Sequence, residues 1–176
     1  MRPLDGLLVL DLTRLLPGAV ATQVLAGFGA EVIKIEEPGA GDYARSMPPL
    51  IDGMGAVFRM INRGKKSVAL NLKDAGDKDA FLRLAERADV LVEGNRPGVM
   101  RRLALDYDSL RARNQRLIYV SLTGYGQSGP YAGLAGHDVN YMALGGALDV
   151  TGVKDGPPAI PGVQIADLAE IGRAHV

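Results

Sequence analysis

The chain has 176 residues, of which 47% are hydrophobic, with 20 basic and 20 acidic side chains, no cysteine and no tryptophan. This length buries a sufficient core in one domain without metal or disulfide, and a net charge of zero with a pI near 6.7 offers no basic face to nucleic acid or to an anionic membrane. The absence of cysteine removes disulfide frameworks, thiol nucleophiles and thiolate metal sites, and fits a reducing compartment, here expected to be the cytoplasm.

Asp5, Asp11 and Arg14 interrupt the opening apolar run, so no signal peptide is expected, and no stretch reaches the roughly 20 apolar residues that cross a bilayer. Residues 7–12 (LLVLDL) form a nearly continuous apolar run, as a strand covered on both faces should. A helix follows, opened by Pro17 and Gly18, striped by Val20, Val24 and Phe28, and closed by Gly29. Residues 32–35 give the next strand. Residues 67–72 (SVALNL), an amphipathic helix over 74–88 with Phe81, Leu84, Ala85 and Ala88 inward, and residues 89–93 (DVLVE) repeat the pattern. Short helices over 98–105 and 107–114 lead to a strand over 116–122. Strands alternating with helices predict an α/β fold: an open, mainly parallel sheet of about five strands with helices on both faces.

After Thr123 the texture changes to a glycine-crowded loop, TGYGQSGPYAGLAGHD. Asp138 is placed to begin a helix and cap the amides of Asn140 and Tyr141. A second loop, TGVKDGPPAIPG, leads into VQIAD, which has a short β-like pattern. The final IGRAHV matches the translation of the start of a widely used sequencing adapter, so residues 170–176 are expected to be foreign to the protein and His175 to carry no role.

Gly124, Gly126 and Gly129 satisfy GxGxxG, yet Pro130 and more glycines follow where a helix should face a pyrophosphate, so a flexible or closely packed loop is the better reading. Arg63, Lys65 and Lys66, with Lys73, form a basic run that is a solvated edge on its own. Arg96, Arg101 and Arg102 follow the next strand, and loops at the carboxyl edge of a parallel sheet converge on one ligand, so a phosphate-rich molecule would suit them. His137 stands between the glycine loop and a helix start, near backbone amides suited to an oxyanion; a structural histidine is its plainer reading. Asp167, flanked by apolar residues, is either a carboxylate whose pKa is raised by burial or a helix cap. HExxH, Walker A, GxSxG and acidic metal clusters are all missing from the sequence.

In order, LDGLLVLDLTRLLPG, AGFGAEVIKIEEPGAGD, NRGKKSVALNLK, DVLVEGNRPGVMRRL, RLIYVSLTGYGQSGP and AGHDVNYMALGG resemble the N-terminal part of the family III CoA-transferases, a superfamily that includes α-methylacyl-CoA racemase. The resemblance implies that residues 1–169 are the first part of a Rossmann-like large domain, in a protein whose two chains interlock as linked rings. It implies no permanently bound cofactor: coenzyme A arrives as part of an acyl-CoA substrate. By position, Arg63, Leu70, Asn71, Lys73 and Arg102 match residues around the CoA nucleotide, whereas Glu37 replaces an arginine that in several relatives lies near the adenine.

Two chemistries occur in the superfamily. The GHDVNY sequence matches the racemases, in which His137 and Asp167 would be opposed acid and base, inverting C2 of a 2-methylacyl-CoA. The alternative is CoA transfer between carboxylic acids through an acyl anhydride on Asp167. Leu15 and Leu16 lean towards an apolar acyl pocket. A third expectation is non-enzymatic: an inactive fragment whose exposed core leads only to association.

Overall fold

The computed structural model describes residues 1–169; the suspected foreign tail, 170–176, lies outside the described residues. In chain order the elements are β1 (Leu8–Leu12), α1 (Leu16–Gly27), β2 (Glu31–Glu36), a 3-10 turn at Tyr43–Arg45, a hairpin of β3 (Leu50–Ile51) and β4 (Met54–Gly55), α2 (Ala56–Ile61), β5 (Lys66–Ala69) and α3 (Ala75–Ala85). They continue with β6 (Val90–Glu93), α4 (Val99–Arg102), α5 (Tyr107–Arg111), β7 (Ile118–Ser121), α6 (Asp138–Leu144), a second 3-10 turn at Ala147–Val150, and α7 (Ile165–Ala169).

Five strands pair in parallel in the order β5-β2-β1-β6-β7. The chain winds outward from β1 in one direction, then returns to the other side of β1. The strand order therefore reverses between β1 and β6, and in such sheets a crevice opens there at the carboxyl ends.

Side-chain alternation divides the core. Leu10 and Leu91 point to one face, against Phe81 of α3 and Leu105 and Leu110 near α4 and α5. Val9, Val32 and Val92 point to the other, against Leu25 and Ala26 of α1. Asp74 caps α3 by accepting from the amides of Gly76 and Asp77 at 2.9 and 3.1 Å. No helix among the described residues is long and apolar enough to cross a membrane.

Two expectations are corrected, and two features were not expected. The face that α1 buries is Gly18, Ala19 and Thr22, while Phe28 of the expected stripe is 53% exposed; a small face lets the helix lie close to the sheet. The β-like run around Asp167 pairs with no strand and from Ile165 becomes helix α7. The hairpin and α2, absent from the sequence reading, are too short to show a period.

Candidate active site at the switch point

A cavity of about 300 Å³ opens where the strand order reverses. Its wall comes from the β1–α1 turn (Arg14, Leu15, Gly18), from Asn95 and Arg96 after β6, from the glycine loop after β7, and from His137, Tyr141 and Asp167. The two residues singled out for acid–base or nucleophilic work thus share one cavity.

The β1–α1 turn is unusual. Leu15 has φ 59° and ψ −149°, a conformation that costs about 1–3 kcal/mol in a side-chain-bearing residue and persists only where its surroundings enforce it. They do. Asp42 accepts from the Leu15 amide with both oxygens at 3.3 Å, and Lys34 Nζ donates to the Thr13 carbonyl at 2.8 Å. Lys34 also pairs with Asp42 at 3.0 Å, and Asp11 accepts from Lys65 at 2.9 Å, from the Thr13 hydroxyl at 2.6 Å and from Thr22 at 2.7 Å. The side chains of Lys34, Lys65, Asp11 and Asp42 are between 0% and 2% exposed and form a neutral quartet beneath the turn. Burial alone would raise the Asp11 carboxyl, but the two lysines and the threonine hydroxyls hold it below the usual range. Burial lowers Lys65, with Asp11 opposing. Beside the quartet, Glu36 accepts from Arg45 at 2.7 Å through each oxygen; these bonds, with Ser67 and the Asp42 amide, outweigh its burial and bring it to about 2. A Cβ on Gly18 would collide with the Thr13 side chain, so glycine is what lets α1 begin so close to β1.

At the opposite wall, His137 occupies the N-cap position of α6, and its amide donates to Asn140 Oδ1 at 2.9 Å. Asp138 does not cap Asn140 and Tyr141 as expected. Already the first residue of the helix, it turns away to accept from the Ala166 and Asp167 amides at 2.7 and 3.2 Å, capping α7 instead. This bond pair carries Asp167, 29 residues later, to the cavity. Asp167 is half-buried, and its carboxyl is raised by burial and by the Asp138 charge, with His137 pulling it down. His137 itself is exposed. Tyr141 packs edge-on against Tyr125, ring centroids 5.1 Å apart, and a Cβ on Gly124 would collide with the Tyr141 ring. Of the GxGxxG glycines only Gly124 is closely packed; Gly126 and Gly129 take positive φ with open space around them, and no helix starts inside the loop.

A second cavity, of about 330 Å³, adjoins the first through shared walls at Arg14 and Asn95 and contains Leu70, Asn71 and Lys73. Arg63 and Arg102 are both exposed and are not brought to it. The expected convergence of the basic run is corrected: Arg63, Lys65 and Lys66 come at or before the start of β5, at the sheet's amino edge, whereas Asn71 and Lys73 follow its end. Lys65 is consumed by Asp11, and Lys66 pairs with Glu31 at 2.6 Å. Glu37 borders the second cavity with Arg14 at 3.4 Å. The turn-locking quartet was missed from sequence, although Asp11 and Lys34, each a charge inside an apolar strand, signal it. Among the described residues no cluster of three or more histidines and carboxylates is disposed to hold a metal.

The description of CoA-transferase family III matches residues 4–171. This chain belongs to CoA-transferase family III. It is 47% identical over 167 residues to the acetyl-CoA:oxalate CoA-transferase of Acetobacter aceti, covering 94% of this chain and 43% of that one. It is 45% identical over 170 residues to the succinyl-CoA:glutarate CoA-transferase of Mus musculus, covering 96% and 39%. A crystal structure of a CAIB/BAIF family protein from Brucella suis superimposes with a TM-score of 0.90 at 41% identity, covering 95% of this chain and 45% of the other. The family III chain described here therefore spans less than half the length of these relatives, and the first two carry transferase names; none of the three is named a racemase.

Proposed function

We propose that this chain is the N-terminal portion, residues 1–169, of an enzyme that moves coenzyme A between carboxylic acids, with Asp167 as nucleophile. The observation that carries it is a half-buried aspartate, its carboxyl raised by burial and by Asp138, lining the switch-point cavity of a chain 45–47% identical to relatives named CoA-transferases. An Asp167 oxygen attacks the thioester carbonyl, the C–S bond breaks, and CoA leaves as thiolate from a mixed anhydride. The thiolate then attacks the Asp167 carbonyl, which releases the first acid and leaves CoA on the enzyme. The second acid displaces it by the same two steps in reverse. A raised pKa makes Asp167 a stronger nucleophile once ionised.

CoA transfer, rather than racemisation at C2 of a 2-methylacyl-CoA, is the activity proposed. A shared cavity for His137 and Asp167 accommodates either chemistry, but the racemase reading leaned on the single imidazole of GHDVNY, whereas similarity across some 170 residues leans to transfer. His137 is then a rim group that tunes Asp167. Leu70, Asn71 and Lys73 are proposed to line the path of the CoA nucleotide, with Arg63 and Arg102 reaching it only from outside the second cavity; CoA enters solely as part of the substrate. The interlocked pair of chains is proposed as the assembly.

In the intact protein, Asp167→Asn is expected to lower CoA exchange between two acids by at least about a thousandfold, and hydroxylamine should trap an acyl group on the wild type alone. Washout of the α proton in deuterated water, without CoA exchange, would restore the racemase.

A further inference from the structure

Part of the wall between the first and second cavities is the connection from β6 to α4, residues 94–98, and none of these residues is buried. Gly94, Asn95, Arg96 and Pro97 line the switch-point cavity, and Asn95 lines the second cavity as well. Packing does not support the connection from behind either, because a third cavity, of about 530 Å³, is lined by Glu93, Arg96, Pro97 and Gly98. Its support is polar. Glu93, the last residue of β6, is 3% exposed, and its carboxylate accepts from the Asn95 amide at 2.7 Å. The sheet holds its backbone, with the Glu93 carbonyl accepting from the Leu122 amide at 2.9 Å. Burial raises the Glu93 carboxyl, with hydrogen bonds from Ser121 and Asn95 opposing. Glu93 enters no ion pair among the described residues: Arg101, in the same cavity, reaches Asp106 instead, at 3.6 Å.

A buried carboxylate without an ion-pair partner is costly at the end of a strand whose other residues are Val90, Leu91 and Val92; an apolar residue would serve the sheet better. We propose that Glu93 is a positioning residue, which holds Asn95 at the neck between the two cavities so that the thioester of a bound acyl-CoA meets Asp167. The inference rests on one acyl-CoA spanning both cavities, as proposed above. A molecule that runs from Leu70, Asn71 and Lys73 to Asp167 passes Asn95, the residue after Gly94 that borders both spaces. A displacement of about 1 Å at such a neck costs on the order of 100-fold in rate. Reach, rather than charge, is then the property of Glu93 that matters: an acceptor oxygen must stand 2.7 Å from the Asn95 amide.

Two variants of the intact protein separate the two properties. Glu93→Gln keeps an acceptor oxygen at the same reach and removes the charge, whereas Glu93→Asp keeps the charge and withdraws it by one methylene. Acyl transfer to hydroxylamine is compared for acetyl-CoA and for acetyl-N-acetylcysteamine, which keeps the thioester end and lacks the nucleotide that would span the neck. Wild type is expected to favour acetyl-CoA in kcat/KM by on the order of 1000-fold. Glu93→Gln should hold that ratio to within about threefold, and Glu93→Asp should shrink it by at least about tenfold. A purely structural role would depress both thioesters and leave the ratio intact, and a role for the charge would make Glu93→Gln the worse variant; either result, or equal use of both thioesters by wild type, overturns the inference. Calorimetric titration with CoA reads the neck without turnover. CoA affinity weakened in Glu93→Asp and kept in Glu93→Gln, in a protein that forms no trappable acyl group, would sink the transfer reading while leaving the role of Glu93 standing; equal affinity in all three proteins, again with no acyl group trapped, would sink both.

Discussion

Leu15 sits at φ 59° in the wall of the cavity with its amide tied to Asp42, so its strain is set by function-bearing surroundings rather than by its own preference. Leu15→Gly removes about 1–3 kcal/mol of backbone strain and loses the burial of a half-buried side chain. The expected outcome is a thermal midpoint no lower than wild type, together with a transfer rate reduced about tenfold as the turn loosens. A midpoint several degrees lower would show that packing, not strain, dominates there. At this scale the sequence was informative about chemistry and silent about restraint. His137 and Asp167 stood out because few residue types do acid–base or nucleophilic work. Leu15 could not, since a positive φ leaves no mark on a leucine, and its cause is Asp42, 27 residues away.

Among the elements, the sheet strands were legible and the pieces after β7 were not. β1, β2 and β6 carry dense β-branched and leucine runs that survive as largely buried strands, and β7, at the edge of the sheet, as a partly buried one. Among the described residues helix α7 covers Ile165–Ala169, and it owes its place to the Asp138 carboxylate of another helix, which accepts from its first amides, a tertiary fact that no local pattern contains. Asp138 thereby does two things to Asp167: it holds the segment and it raises the carboxyl by proximity. Asp138→Asn keeps an oxygen for the cap and removes the charge. The acidic limb of kcat/KM, which reports Asp167 ionising, should move to lower pH in this variant and to higher pH in His137→Ala, since His137 pulls the carboxyl down. Shifts in the same direction would refute the assignment of that limb.

For the whole molecule, alternation of strand and helix patterns sufficed for an open parallel sheet with two covered faces, because a sheet twisted one way and crossed right-handedly has few other solutions. What remained hidden was the polar interior. Lys65 read as one member of an exposed basic run, yet it reaches Asp11, 54 residues away, and its side chain is 2% exposed. Lys65→Met should therefore cost about 3–5 kcal/mol in denaturant unfolding, as expected when a buried charge loses its partner; a loss under about 1 kcal/mol would mean that Lys34 alone satisfies Asp11. The quartet's two positive and two negative groups lie beyond the reach of mobile counterions, unlike the solvent-facing pair Lys66 and Glu31. Ionic strength therefore has no grip on the turn beneath the acyl site: a concentrated salt solution would weaken the capture of charged substrates at the mouth while leaving the scaffold that shapes the floor as it was.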